Sequence, residues 1–104
     1  MRRGEVWWAN LPEPLGRRPV VLLSRNKAYE ILTSFTVAAV TRTVRGIPVE
    51  VSLGPEDGMP VACVVNADNI LTVPKRAFAD RITSLPLKKL DALSKAVKFA
   101  LELP

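Results

Sequence analysis

The chain has 104 residues, of which 48% are apolar and 24% charged, so it can form one folded domain over residues 1–104 but not two ordinary domains. It contains no histidine and a single cysteine, Cys63, which excludes an intrachain disulfide and the usual zinc sites. The net charge is +5, and the excess lies in residues 1–45, where eight Lys or Arg face three Glu, so this half would attract a polyanion such as RNA, DNA or an acidic peptide.

The apolar stretches of the chain are too short to cross a membrane. The longest, such as residues 20–23 and 35–40, fall far below the roughly 20 residues of a membrane span. Residues 1–5 are mostly polar and lack the apolar run of a secretory signal. We therefore expect a cytoplasmic protein without a membrane partner.

The residue types also limit the chemistry. The missing histidine removes the commonest general acid or base near neutral pH. Three acidic residues, Glu56, Asp57 and Asp68, are scattered among turn formers, which disfavours a magnesium-type nuclease site. We expect no metal and no other cofactor.

The first half of the chain has the pattern of short strands separated by turns. Residues 5–11 are rich in Val and Trp and end at a rigid Pro-Glu-Pro stop, and residues 19–23 resume a strand after Gly16. Residues 26–32 lack helix breakers and predict a short helix. Residues 35–41 are β-branched and apolar enough for a buried strand.

The second half begins with further strands. Residues 47–53 alternate apolar and polar side chains after the turn at Gly46, which is the period of a half-buried strand. Three more short strands are predicted over residues 61–65, 70–73 and 79–84.

From Pro86 onward the apolar residues follow helical spacing. One face of this helix is predicted to hold Leu87, Leu90, Leu93, Val97 and Leu101. Many short strands followed by one helix predict a mainly β domain, a small barrel closed by a C-terminal helix.

Several stretches of the chain, in order, resemble the MazF/PemK family of bacterial toxins. Residues 3–11 (RGEVWWANL) are similar to its first strand, and residues 16–24 (GRRPVVLLS) to its Gly-x-Arg-Pro entry into the second. The other similar segments are residues 40–43 (VTRT), 46–51 (GIPVEV), 68–72 (DNILT) and 80–85 (DRITSL). The resemblance covers essentially the whole chain, and the order of the segments makes it specific.

The resemblance implies an SH3-like barrel that forms a homodimer and cleaves single-stranded RNA at short recognition sequences, thereby inhibiting translation. It also implies a type II toxin-antitoxin system with a cognate antitoxin, whose acidic C-terminal segment would cover the basic groove. The protein would contact DNA only indirectly, through the antitoxin complex. The family's catalytic arginine, in Gly-x-Arg-Pro, falls at Arg18, and its catalytic threonine, five residues before the Gly of Gly-x-Pro, falls at Thr41.

Arg18 and Thr41 are residue types that suit RNA cleavage without a metal. RNA carries its own nucleophile, the 2′-hydroxyl, so an enzyme need only align sugar and phosphate and stabilise the charge of the phosphorane. Arg18 offers a planar fork of donors that matches two phosphate oxygens, and Thr41 offers a hydroxyl beside it. Arginine holds its proton too tightly to be a good general base, so the base is left unassigned. The expected products are a 2′,3′-cyclic phosphate and a 5′-hydroxyl.

Five further residues are candidate RNA ligands: Arg17, Arg42, Thr43, Arg45 and Asn69. The first four could bind neighbouring phosphates or solvate the barrel rim, and the asparagine could bind a base edge or cap a turn. Without the surrounding motifs, Arg18 would be a surface arginine before a strand proline, and Thr41 a β-former at a strand end. These alternatives stay open at the level of sequence.

Three apolar residues are open to a structural interpretation. Trp7 and Trp8 cannot both point into the core of a regular strand, because adjacent side chains face opposite ways. One of them is expected at a surface or an interface, packed against a dimer partner or stacked on a base. Cys63 lies in an apolar run and is interpreted as a core residue.

Two other functions fit the same barrel. One is a gyrase poison of the related CcdB type, and the other is a non-catalytic SH3-like RNA-binding module, which would leave RNA intact. A gyrase poison does not need an Arg-Thr pair across the barrel mouth, so the motifs around Arg18 and Thr41 favour the nuclease. The loop of residues 12–16 is shorter than is common in the family, where it covers the active site, which implies an altered choice of substrate.

Overall fold

The computed structural model describes residues 1–104 and contains one six-stranded antiparallel sheet and two helices. The strands are β1 (Glu5–Asn10), β2 (Arg17–Leu22), β3 (Ser34–Thr41), β4 (Glu50–Leu53), β5 (Cys63–Pro74) and β6 (Phe78–Ser84). The helices are α1 (Ala28–Ile31) and α2 (Leu87–Ala100), and neither has the length and apolar composition that crossing a membrane requires. The order across the sheet is β4-β5-β3-β2-β1-β6. The predicted class, mainly β with a C-terminal helix, is confirmed.

The sheet curls into a half-barrel, so that the segment after β4 meets β6 at the opposite edge. Thr83 on β6 donates a hydrogen bond from its hydroxyl to the carbonyl oxygen of Asp57, at 3.0 Å. Gly58 permits this approach, because its φ is +91° and a side chain at this position would collide with Thr83. Helix α2 packs against the curled sheet, and its Lys89 Nζ donates to the carbonyl oxygen of Ser52 at 2.5 Å.

Each face of the sheet carries its own apolar cluster, because side chains alternate along a strand. Val21 and Ala38 belong to the larger cluster of 14 buried residues, which includes the helix residue Leu93. Their neighbours Val20 and Val37 belong to a smaller cluster of six on the other face. Alternation therefore sends adjacent residues of β2 and β3 to opposite faces of the sheet, and it does the same for the candidate site residues at the strand ends.

The predicted strand over residues 47–53 is shorter in the structure, where β4 begins only at Glu50. Pro48 has no N–H to donate to a neighbouring strand. The N–H of Glu50 donates back to the carbonyl oxygen of Ile47 at 3.0 Å, which closes a turn. Local hydrogen bonds therefore replace strand pairing before Glu50, although the alternation of apolar and polar residues continues through the whole segment.

The two strands predicted over residues 61–65 and 70–73 are parts of one strand, β5. The pairing of β5 with β3 is interrupted by a bulge, since Ala38 lies opposite Ile70 while the next residue, Ala39, lies opposite Asn66. Three residues of β5 are therefore extra at this point and displace the strand locally. The bulge holds the polar residues that the sequence suggested were a break between strands.

The buried face of α2 differs in part from the predicted one. Leu93 is fully buried as expected, but Leu87 is 84% exposed and Leu101 is 55% exposed. Ala96, which was not predicted, is buried instead. The sheet contacts the middle of the helix, so the apolar residues at its two ends extend past the surface they were expected to cover.

Candidate functional site

A polar cavity of about 340 Å³ lies at the end of the sheet where β2 begins and β3 ends. Only one of its eight lining residues is hydrophobic, which sets it apart from the apolar clusters inside the fold. The lining residues are Arg18, Ala39, Thr41, Thr43, Arg45, Asn66, Asp68 and Asn69. Five of the seven candidate residues from the sequence therefore meet at one place.

Strand register explains why Arg18 and Thr41 meet. β2 and β3 are antiparallel, and Val20 lies opposite Ala39. Continued two residues along each strand toward the cavity, this register would put Arg18 opposite Thr41, and both residues line the cavity. Because side chains alternate between the two faces of a sheet, Arg18 and Thr41 lie on the face that carries Val20 and Ala39.

The guanidinium group of Arg18 is held by the short loop that precedes β2. Its Nε donates to the carbonyl oxygen of Leu15 at 2.9 Å, and the loop is itself closed by a bond from the N–H of Leu11 to the carbonyl oxygen of Gly16 at 3.0 Å. The side chain is half-buried and forms no salt bridge. The two terminal nitrogens are therefore left to bind a ligand as a fork.

The hydroxyl of Thr41 is fixed from the other side of the cavity. Its Oγ1 accepts a hydrogen bond from the backbone N–H of Thr43 at 3.1 Å, a local turn in which the threonine side chain mimics a backbone carbonyl. Because the oxygen accepts from Thr43, the hydroxyl proton is left to donate to a group in the cavity.

Residues 42–49, which we call the rim loop, follow Thr41 and border the polar cavity. Arg45 and Thr43 line the cavity from this loop. The carboxylate of Glu50, at the start of β4, accepts hydrogen bonds from the backbone N–H groups of Arg45 and Gly46. The loop is thus tied to β4 by a side chain that does not itself line the cavity.

The bulge of β5 supplies the other wall. Asn66, Asp68 and Asn69 all line the cavity, and the side-chain oxygen of Asn66 accepts from the backbone N–H of Asp68 at 2.8 Å. Asn69 was among the predicted ligands, whereas Asn66 and Asp68 were missed as site residues. The only signal in the sequence was a run of three Asx residues within four positions, which also fits a simple turn.

A second cavity, of about 600 Å³, opens at the same end of the sheet. Its lining includes Arg17 and Arg42, the two candidate residues absent from the polar cavity, together with Trp8, Met59 and Cys63. The guanidinium carbon of Arg17 lies 5.1 Å from the centroid of the Trp8 ring, a cation–π contact. We call this the aromatic cavity.

The two tryptophans face opposite ways, as expected. Trp8 lines the aromatic cavity. Trp7 packs against the smaller apolar cluster, with its ring 6.4 Å from that of Phe78, and its Nε1 donates to the carboxylate of Glu5 at 2.9 Å. Trp7 is therefore part of the fold, and Trp8 is the tryptophan that lines a cavity at the end of the sheet that holds the candidate residues.

Cys63 is buried, as interpreted from the sequence. It also lines the aromatic cavity, which the sequence did not indicate. Burial raises the pKa of the thiol, and the negative charge of Asp57 raises it further. The protonated, weakly nucleophilic form is thereby favoured.

The electrostatic character of this end of the molecule is strongly basic. Arg17, Arg18, Arg42 and Arg45 line the two cavities, and none of them forms a salt bridge. Asp68 is the only carboxylate that lines either cavity. No group of three or more Cys, Asp or Glu side chains is arranged to hold a metal ion. The arrangement is suited to binding phosphates through arginine and backbone donors.

Comparison with known proteins gives a consistent result across sequence and structure. Residues 2–101 match the family described as the PemK-like, MazF-like toxin of type II toxin-antitoxin system. The chain is 46% identical over 86 residues to "Probable endoribonuclease MazF2" from Mycobacterium tuberculosis, which covers 82% of each protein.

Two solved structures have the same fold over nearly their whole length. "Mycobacterium tuberculosis toxin MazF-mt6" superposes with a TM-score of 0.88 at 33% identity, covering 96% of this chain and 98% of the other. An "Endoribonuclease in complex with its cognate antitoxin" from mycobacterial species superposes with a TM-score of 0.90 at 30% identity, covering 100% of this chain and 97% of the other.

Proposed function

This chain belongs to the PemK-like, MazF-like family of toxins of type II toxin-antitoxin systems, and from that premise we propose that it is a metal-independent endoribonuclease. Its substrate is single-stranded RNA, cut at specific short sequences, and the consequence of cutting is inhibited translation. The observation that carries the proposal is the meeting of Arg18 and Thr41 in one polar cavity, with further phosphate-binding groups around them.

The proposed reaction uses the 2′-hydroxyl of the RNA as nucleophile. The 2′-oxygen forms a bond to the adjacent phosphorus, the bond from phosphorus to the 5′-oxygen breaks, and the products are a 2′,3′-cyclic phosphate and a 5′-hydroxyl. Arg18, held through its Nε, would present its two terminal nitrogens to the phosphate oxygens, where negative charge develops. The hydroxyl of Thr41 would donate to the same group. These contacts are worth most in the transition state, which is what accelerates the reaction.

Two protons must move for the reaction to balance. One leaves the 2′-hydroxyl, and one reaches the departing 5′-oxygen. Asp68 is the only carboxylate that lines the cavity, so we propose that it accepts the proton from the 2′-hydroxyl. A carboxylate is a far better proton acceptor than an arginine. Water or the protonated Asp68 would supply the second. DNA lacks the 2′-hydroxyl and would not be cut.

Of the remaining candidate residues, Thr43 lines both cavities and the other four line one each. Thr43, Arg45 and Asn69 line the polar cavity and would bind the phosphates and a base next to the cleaved bond. Arg17 and Arg42 line the aromatic cavity and would bind phosphates further along the strand. The proposed RNA path therefore crosses the end of the sheet from one face to the other.

The partners follow from the family and from the charge. We propose a cognate antitoxin whose acidic C-terminal segment binds the four unpaired arginines and competes with RNA for them. A homodimer in the cytoplasm is proposed on the same basis, with DNA contacted only through the antitoxin complex. Analytical ultracentrifugation of the toxin alone, and competition between RNA and an acidic peptide, test these two points separately.

The enzyme is tested with a long single-stranded RNA in the presence of EDTA. The wild-type protein is compared with Arg18→Ala and Thr41→Ala, and with Arg76→Ala as a control that removes an exposed arginine elsewhere. We expect discrete cuts with 5′-hydroxyl ends from the wild type and the control, and none from the two site variants within the time in which the wild type completes cleavage. Survival of many different RNAs would reject the nuclease in favour of a gyrase poison or an RNA-binding module.

A further inference from the structure

The carboxylate of Glu50 is the main attachment of the rim loop. Its Oε1 accepts from the backbone N–H of Gly46 at 2.8 Å, and both of its oxygens lie 3.1 Å from the backbone nitrogen of Arg45. Hydrogen bonds from backbone N–H groups to an ionised carboxylate are about twice as strong as those between neutral groups. Glu50 therefore fixes the backbone at the residue whose side chain lines the polar cavity.

Packing does little to hold this loop. Every residue from 42 to 48 is exposed, and Gly46, with φ +70°, has no neighbour within 4 Å of where a side chain would begin. Val49, at the end of the loop, is buried in the larger apolar cluster, but the preceding residues have no buried side chain and keep one conformation through their hydrogen bonds. The three contacts to Glu50 and the N–H bond from Thr43 to Thr41 are the side-chain bonds that the loop makes.

Glu50 also stands at the junction of the two walls of the cavity. It lies opposite Asn66 in the pairing of β4 with β5, and the preceding carbonyl, that of Val49, accepts from the N–H of Ala67 at 2.9 Å. The rim loop and the β5 bulge are therefore joined at one point, behind the cavity. A change there would alter the spacing between Arg45 on one wall and Asp68 on the other.

We propose that Glu50 is a positioning residue for RNA binding, which acts by holding the rim loop so that Arg45 and Thr43 face the phosphate next to the cleaved bond. The inference rests on the proposed nuclease function and adds a residue that touches no substrate. Glu50 is negative and lies near a site for a polyanion, so removing its charge would by itself strengthen RNA binding. Weaker binding after its removal therefore isolates the positioning role from the charge.

The test measures binding of an RNA whose 2′-hydroxyl is methylated at the cleavage position, so that it binds without being cut. We expect Glu50→Ala to weaken binding about tenfold, the lower end of what a hydrogen bond to a charged group contributes. The slope of log affinity against log salt should fall by about 0.7, the value expected when a protein neutralises one phosphate fewer on a single strand. Glu50→Gln keeps one acceptor oxygen and should lie between the wild type and Glu50→Ala.

A double-mutant comparison gives the sharper readout. Arg45→Ala should reproduce the loss in affinity and in salt slope, and adding Glu50→Ala to it should change little more, because the interaction that Glu50 supports is already absent. Glu30→Ala, which removes an equal charge from an exposed site on α1, should leave both quantities unchanged. With cleavable RNA, Glu50→Ala should raise KM more than it lowers kcat.

Each outcome decides between the proposals. Unchanged or tighter binding by Glu50→Ala, or full additivity with Arg45→Ala, overturns the positioning role while leaving the nuclease intact. Failure of the wild type to cut any RNA overturns the nuclease, and the binding comparison then still reports on Glu50. Should Glu50→Ala fail to fold, the same comparison is made with Glu50→Gln, whose affinity must fall below that of the wild type for the inference to stand.

Discussion

The polar and aromatic cavities open at the same end of the sheet and share Arg18, Thr41 and Thr43, yet the rest of their linings differ. The polar cavity has one hydrophobic residue among eight, and the aromatic cavity has five among twelve. Neighbours in sequence are placed differently: Arg17 stacks on Trp8 and lines only the aromatic cavity, whereas Arg18 is hydrogen-bonded to Leu15 and, with Thr41, lines both cavities. The alternation of a β-strand thus gives two adjacent arginines different environments.

This division has a functional consequence. Under the proposed function, residues of the polar cavity stabilise charge in the reaction, and residues that line only the aromatic cavity bind RNA. Substitutions in the polar cavity should therefore change the rate of cleavage, and substitutions confined to the aromatic cavity should mainly change binding or stability. The largest difference is expected between the two adjacent arginines.

Arg18→Ala should lower kcat by about 10²- to 10³-fold, the effect of removing one preorganised donor to developing charge. Arg17→Ala removes the same side chain from the neighbouring position and should lower kcat/KM by no more than about tenfold, since removing a phosphate ligand weakens binding only. The measurement is single-turnover cleavage of one mapped RNA at saturating enzyme. Equal losses of kcat in the two variants would contradict the division between the cavities.

Asp68→Asn should lower kcat by about 10²-fold, at the low end of what general base catalysis contributes. It should also lower KM, because the only carboxylate lining the cavity is removed and RNA is negatively charged. A lower kcat together with tighter binding would identify Asp68 as a general base. Substitution of a purely structural residue would instead lower both kcat and affinity. Asp91→Asn, on the exposed side of α2, is the control. A variant that retains full kcat would show that another group accepts the proton.

The sequence was sufficient to propose much of this candidate site because the residues it singled out lie at the ends of regular strands. Arg18 and Thr41 are singled out by motif, and the antiparallel strands β2 and β3 bring them to one cavity. Asn66 and Asp68 could not be placed, since they depend on a bulge in β5 that no glycine or proline marks. Glu50 could not be found either, because in an alternating segment it has the pattern of an ordinary solvent-facing strand residue.

The fold, like the site, could be predicted from the sequence only in part. Periodicity predicted the strands β1, β2, β3 and β6 and the helix α2 to within about two residues at their starts, since each has a dominant apolar repeat. Periodicity failed over residues 47–49, where the missing N–H of Pro48 and the turn closed by the N–H of Glu50 on the carbonyl oxygen of Ile47 outweigh it. It also failed at Leu87 and Leu101, because the length of a helical stripe does not reveal how much of it the sheet covers.

Substitution of Cys63, in the aromatic cavity, is expected to have the smallest effect on catalysis. Cys63→Ala should leave kcat within about twofold and lower the free energy of unfolding by about 1 kcal/mol at neutral pH through poorer packing. Its folded pKa is raised by burial and by Asp57, so the thiol stabilises the fold below its unfolded pKa and loses that contribution as pH rises through the folded value.

The difference in unfolding free energy between wild type and Cys63→Ala should therefore shrink between about pH 7 and pH 10. Burial raises the pKa of Tyr29 to about 12, so Tyr29 also contributes stability that is lost as pH rises, but at higher pH. Because both proteins contain Tyr29, its contribution cancels in the difference. Urea titrations at the two pH values measure the difference directly. A difference in unfolding free energy that widens with pH would mean that the thiolate is stabilised in the fold. A large loss of kcat in Cys63→Ala would mean that Cys63 takes part in the chemistry.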